Sequence, residues 1–196
     1  YTFTFDKNGG NTPSSTTITK EYNTAVGTLP TCTRNADNTY TYAFAGWFDT
    51  SASSGGTQLT TTTKVTSNKT WYARWTSTYK NYTVTWDGNG GTPSKSSSSF
   101  HYNNALGTLP TATRTGYTFK GWSTSKTGTV NVSTTTKVTA NVTYYAVWTI
   151  NSYTWTFDAN GGTGDTTKTL NYNATLSTLP TASRASTAAN NYTFAG

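Results

Sequence analysis

One phrase, Tyr-x-Phe-x-Gly-Trp, recurs along this chain and constrains its fold more than any single residue. It reads Tyr42-Ala43-Phe44-Ala45-Gly46-Trp47 first, Tyr117-Thr118-Phe119-Lys120-Gly121-Trp122 next, and Tyr192-Thr193-Phe194-Ala195-Gly196 last. The alternation has a period of two, the period of a half-buried strand. It predicts that Tyr117, Phe119 and Gly121 share one face and Thr118, Lys120 and Trp122 the other. A strand of this length is stable only as part of a larger sheet, so a recurring strand implies a recurring unit.

Three further landmarks recur in the same order. Each copy opens with a strand and a turn: Tyr1 to Gly10, Tyr82 to Gly91 and Tyr153 to Gly162. Aromatic or apolar residues alternate with Thr as far as Asp6, Asp87 and Asp158. Asn8-Gly9, Asn89-Gly90 and Asn160-Gly161 then predict a tight hairpin turn, because both residue types tolerate positive φ and Asp can bond to the backbone just ahead of it. A polar strand follows and leads to Gly27-Thr28-Leu29-Pro30, Gly107-Thr108-Leu109-Pro110 and Ser177-Thr178-Leu179-Pro180. Asn23, Asn103 and Asn173, just before these connections, are candidate N-caps of a single helical turn.

Next comes a segment carrying Arg34, Arg114 and Arg184, and then the recurring strand. The Arg-to-strand connection is expanded in copies one and three, around residues 35–40 and 185–190, which places the extra residues in surface loops. Each complete copy closes on Lys64-Val65-Thr66 leading to Trp71-Tyr72-Ala73-Arg74-Trp75, or on Lys137-Val138-Thr139 leading to Tyr144-Tyr145-Ala146-Val147-Trp148. Copy three has no such ending. The chain therefore reads as module 1 over 1–79, module 2 over 80–151 and an incomplete module 3 over 152–196, joined by short linkers at 76–81 and 149–152. The missing closing strand predicts an open sheet edge, completed by further polypeptide or by another chain.

A module of this size buries only about 60% of its unfolded surface. A lone Cys32, matched by Ala112 and Ala182, excludes an intramolecular disulfide framework and reads as a small buried apolar side chain. The aromatic content of 15% offsets this, since each ring buries about 150–250 Å². Trp47, Trp75, Trp122 and Trp148 are therefore core candidates, with Trp47 or Trp122 expected near Trp75 or Trp148. A row of sugar-stacking platforms is the competing reading. Strand periodicity and matched positions favour the core.

The net charge of +7 comes from 14 Lys and Arg against 7 Asp and Glu, scattered singly along the chain. That pattern is a solvated basic surface and not a nucleic-acid face, although attraction to anionic polymers would persist at low salt. Arg34, Arg114 and Arg184 are the one matched cationic position, and so the candidate polyanion contact. The structural alternative is an Arg stacked on Trp or paired with the turn Asp. One His101, one Cys32 and few acids assemble no nucleophilic or metal chemistry, so neither enzyme activity nor a cofactor is expected. Each turn offers calcium one Asp and one Asn, short of the six to eight oxygens it takes. No apolar stretch is long enough to span a membrane.

Taken together, Phe-Asp-x-Asn-Gly-Gly, Gly-Thr-Leu-Pro, Gly-Tyr-Thr-Phe-x-Gly-Trp and Tyr-Ala-x-Trp in one order resemble the Listeria–Bacteroides repeat family, similar to the B-repeat of internalin B. The resemblance implies a mainly β, α+β module of β-grasp-like form, in which a twisted sheet wraps a short helical segment. It also implies a non-enzymatic, extracellular role on bacterial surface proteins as stalk, spacer, adhesin segment or fibre. Neighbouring repeats would be the partners, with surface glycans or a host surface as further ones. A carbohydrate or anionic-polysaccharide binding module, using exposed aromatics and Lys or Arg, is the alternative.

Overall fold

A computed structural model describes residues 1–164 and 167–196. The chain divides into two compact units, one of residues 1–82, 100–104 and 138–140, the other of residues 83–99, 105–137 and 141–196.

The first repeat contains β1 (Thr2–Asp6), β2 (Thr17–Thr19), β3 (Thr24–Ala25), β4 (Tyr40–Phe48), β5 (Lys64–Val65) and β6 (Lys69–Tyr79). Four of these form a sheet in the order β2-β1-β6-β4, and β3 pairs with β5. β1 runs antiparallel to β2 but parallel to β6, with Phe5 opposite Trp71. Alternation holds in β1: Phe3 and Phe5 are buried while Thr4 between them is exposed. The core they enter comprises Val26, Cys32, Trp47, Leu59, Val65, Trp71 and Ala73. Phe5 meets Trp47 edge-on at 4.8 Å, a favoured geometry for paired rings.

The second repeat contains β7 (Asn81–Asp87), β8 (Thr92–Pro93), β9 (Ser97–His101), β10 (Ala112–Thr113), β11 (Tyr117–Ser123) and β12 (Val142–Ile150). Its sheet order is β11-β12-β7-β9, and β8 pairs with β10. β7 and β12 are again parallel, with Val84 opposite Val142 and Trp86 opposite Tyr144. The third repeat supplies β13 (Ser152–Thr156), β14 (Thr163–Gly164), β15 (Thr167–Asn171) and β16 (Ala182–Ser183), paired as β13-β15 and β14-β16. Among the described residues β13 has no parallel partner. Trp155 is consequently 53% exposed, whereas its counterparts Phe3 and Val84 are 3% and 0% exposed.

Several expectations are corrected. The described residues contain no helix, so the fold is all-β and neither α+β nor β-grasp-like. Asn23, Asn103 and Asn173 adopt φ of 60°, 61° and 60°, a left-handed turn conformation, whereas an N-cap takes β-region angles. The N–H groups beyond them bond across to a neighbouring loop and not within a turn of helix: Val26 to the Thr63 carbonyl at 2.9 Å, and Leu106 to that of Thr136 at 3.0 Å. The linkers are also mostly strand. Only Lys80 separates β6 from β7, and only Asn151 separates β12 from β13.

Alternation fails in the recurring strand itself. Phe119 lies opposite Trp148 and Gly121 opposite Val147, so Lys120 is an extra residue, a β-bulge. Ala45 plays the same part between Phe44 and Gly46. Gly46 and Gly121, at φ of 122° and 142°, accommodate the bulge where a side chain would be strained. The shift brings Trp122 to Phe119 instead of the opposite face, with centroids 5.5 Å apart.

Candidate functional site

The three turns share one geometry. Asp6, Asp87 and Asp158 each accept, through Oδ1, a bond from the N–H of Asn8, Asn89 and Asn160 respectively, all at 2.8 Å. Asn8 and Gly9 have φ of 43° and 84°, and Asn89 and Gly90 have 48° and 90°, with Asn160 and Gly161 alike at 47° and 83°. A bond from the Gly10 N–H to the Lys7 carbonyl, 2.8 Å, closes the turn. These angles fit a tight turn, but the chain does not fold straight back. It continues so that the Asn11 N–H bonds to the Thr33 carbonyl at 2.7 Å before β2 returns to β1.

The turn is fixed to the sheet by its Asn. Asn8 Nδ2 donates to the Ala73 carbonyl at 2.9 Å and to that of Ser51 at 3.0 Å; Asn89 Nδ2 donates to Ala146 and Lys126 at 3.0 and 2.9 Å. The second glycine is as constrained as the first. A Cβ on Gly10 would strike the Trp75 ring and the Thr33 carbonyl, and one on Gly91 the Trp148 ring and the Thr113 carbonyl.

Trp47 and Trp122, buried at 1% and 0% exposure, donate from Nε1 to the carbonyls of Pro30 and Pro110 at 2.8 and 2.7 Å. This explains the Leu-Pro landmark: it places an acceptor at the core's edge. Trp75 and Trp148 sit at the turns instead, donating to the carbonyls of Asn8 and Gly88 at 3.1 and 3.0 Å. A phenylalanine stands between each pair, Phe44 at 5.3 Å from Trp47 and 5.6 Å from Trp75, and Phe119 at 5.5 Å from both Trp122 and Trp148. Sequence reading missed these wedges because strict alternation placed Trp122 opposite Phe119.

Arg34, Arg114 and Arg184 each lie over a tyrosine, not a tryptophan: Tyr42 at 3.7 Å, Tyr117 at 3.8 Å and Tyr192 at 4.5 Å. Arg114 and Arg184 also reach the carbonyls of Asn89 and Asn160, both at 3.4 Å. Their surroundings differ with the length of the next connection. The expanded loop of copy one carries Asp37, whose carboxylate accepts from the Tyr42 hydroxyl at 2.6 Å and from the N–H groups of Tyr40 and Thr39 at 2.7 and 2.8 Å. The tyrosine hydroxyl, then those amides, hold Asp37 below the usual carboxylate range, with Arg34 adding attraction. The same bond raises the Tyr42 hydroxyl pKa.

The expanded loop also holds the first junction. The Lys80 N–H donates to the Thr39 backbone carbonyl at 2.8 Å, its ammonium to the Asp37 backbone carbonyl at 3.0 Å, and the Tyr82 hydroxyl to the Asn38 backbone carbonyl at 2.8 Å. Beside them, Tyr79 stacks on His101 at 4.6 Å, and His101 is half-buried. At the second junction Asn151 takes this part. Its N–H donates to the Gly116 carbonyl at 2.9 Å, and its carbonyl accepts from Tyr172 at 2.7 Å.

Among the described residues no group of three or more His, Cys, Asp or Glu is placed to hold a metal. Cys32 is buried, which raises its thiol pKa. No helix of the described residues is long and apolar enough to cross a membrane.

Repeated four-stranded sheets with one turn, one tryptophan pair and one Arg-on-Tyr contact define a tandem β-repeat protein. The chain belongs to the Listeria-Bacteroides repeat domain family, whose model matches residues 1–74, 82–147 and 153–196. A protein of Evansella cellulosilytica, provisionally named a Gly-rich membrane protein, is 30% identical over 164 residues. The alignment covers 83% of this chain but 18% of that protein, so the chain spans less than a fifth of its relative's length. No solved structure matches the chain.

Proposed function

We propose that this chain is a non-enzymatic, extracellular segment of a bacterial surface protein, a stalk or spacer that carries tension between whatever lies on either side of it. One observation carries the reading: in both complete repeats the first and last strands are neighbours and run parallel, β1 with β6 and β7 with β12. Tension entering at the start of β1 and leaving at the end of β6 slides the two strands along each other. The evenly spaced bonds of a parallel ladder then resist together and do not open one at a time. A single residue passes the load from β6 to β7. Family membership and the membrane-protein name of the Evansella relative support a place at the cell surface.

Forced unfolding reads the unfolding barrier directly. Pulled between its ends, the first repeat should rupture at a higher force than when pulled between Tyr40 and Tyr79, opposed residues of the antiparallel β4–β6 pair that would peel apart. Equal rupture forces in the two directions overturn the mechanical reading. Antibodies against residues 1–196 should label intact cells; label that appears only after permeabilisation overturns the location.

A further inference from the structure

The second repeat lacks the expanded loop, and with it any counterpart of Asp37: Arg114 is followed by Thr115, Gly116 and then β11. Two features meet at one place. The guanidinium of Arg114 keeps the ring of Tyr117 beneath it and one long bond to the Asn89 carbonyl. Among the described residues it forms no ion pair with a carboxylate. Beside it lies an open cleft of about 850 Å³, between the turn at Gly90-Gly91, the Arg114 strand and Tyr172-Asn173 of the third repeat. All of these residues lie within one compact unit.

The far wall is built with care. Gly116, at φ 77°, lets Tyr172 lie against its backbone where any side chain would collide, and Tyr172 meets Tyr117 edge-on at 6.3 Å. Tyr172 stays 37% exposed. Thr92, Thr113 and the Asn173 amide add neutral hydrogen-bonding groups around the cleft. A cation without a carboxylate partner, an exposed aromatic ring and several neutral hydrogen-bonding groups have one shared complement. The fork of an Arg binds sulfate or carboxylate in two-point fashion, a tyrosine ring covers the apolar face of a pyranose, and hydroxyls and amides take the sugar's own hydroxyls.

We propose that the Arg114–Tyr172 cleft binds an acidic saccharide unit, sulfated or carboxylated, of a surface polysaccharide. The site is independent of the mechanical role. Arg34 stands by the expanded loop, where it attracts Asp37, and lines no part of this cleft, which makes it the matched control.

The test titrates the isotope-labelled 196-residue chain with a heparin hexasaccharide, an alginate hexasaccharide and neutral maltohexaose, at low salt. Amide shifts from an acidic sugar should gather at residues 90–92, 113–117 and 172–173 and fade as salt rises, with none from maltohexaose. Arg114→Gln should weaken binding by about tenfold, and Arg34→Gln by less than about twofold. Equal losses in the two variants, shifts spread across the lysine-bearing strands, or no shift from either acidic sugar overturn the site. The same shifts from a single-stranded DNA hexamer overturn the saccharide assignment. If Arg114→Gln does not fold, the shift map of the unaltered chain decides.

Discussion

At Gly10 and Gly91 the repeated turn shows why it needs two glycines and not one. The first of each pair takes the left-handed conformation, while the second lets a tryptophan ring and a backbone carbonyl close over its Cα. Because the ring and the carbonyl both belong to packed elements, neither can move aside freely. Gly91→Ala should therefore cost about 1–3 kcal/mol, the usual range for overpacking. It would be read as a lower urea midpoint of tryptophan fluorescence, and an unchanged midpoint would refute the account. Sequence reading found the Asn-Gly turn because positive φ leaves a residue signature. It did not find the role of the second glycine, because close approach of another element leaves none. Arg stacking was legible as a possibility, but its partner is tyrosine and not tryptophan in all three copies.

Among the elements, the expanded loop of copy one carries an acid-sensitive carboxylate. Asp37 has its pKa lowered by the Tyr42 hydroxyl and by two amides, so the folded chain favours the charged carboxylate. Its contribution is complete above the unfolded value of about 3.9 and is lost as pH falls through the lower folded value. Asp37→Asn should remove that loss, so its thermal midpoint should fall less steeply than that of the parent below about pH 4. Identical acid limbs would show that Asp37 does not hold the loop. The sequence placed this expansion on the surface correctly but could not show that it bonds to Lys80 and Tyr82, since those contacts depend on β4 and β6 lying side by side. The predicted helical turn failed for a similar reason. Asn followed by small residues suits an N-cap or a left-handed turn, and the neighbouring loop that accepts the Val26 and Gly27 N–H groups decides between them.

For the molecule as a whole, local stability follows the number of strands on which each opening strand can lean. β1 and β7 are bonded on both sides, whereas β13 is paired with β15 alone among the described residues. Amides of Tyr153 to Thr156 should exchange with solvent faster than those of Phe3 to Asp6. Equal protection would mean that β13 has found a second neighbour. The repeat count was legible because landmarks recur in order, while the continuity of strand through the junctions was hidden by their polar, Thr-rich sequence. That continuity has a genetic consequence. The loop that fixes the first joint is encoded far upstream of it, with Asp37 and Asn38 lying 43 and 44 positions from Lys80 and Tyr82. The shared Tyr-x-Phe-x-Gly-Trp stretch lies between loop and joint. A crossover there would splice a short connection onto a joint made for a long one and strand its donors. Copies can be gained or lost with their joints intact only where the breakpoint falls outside that interval.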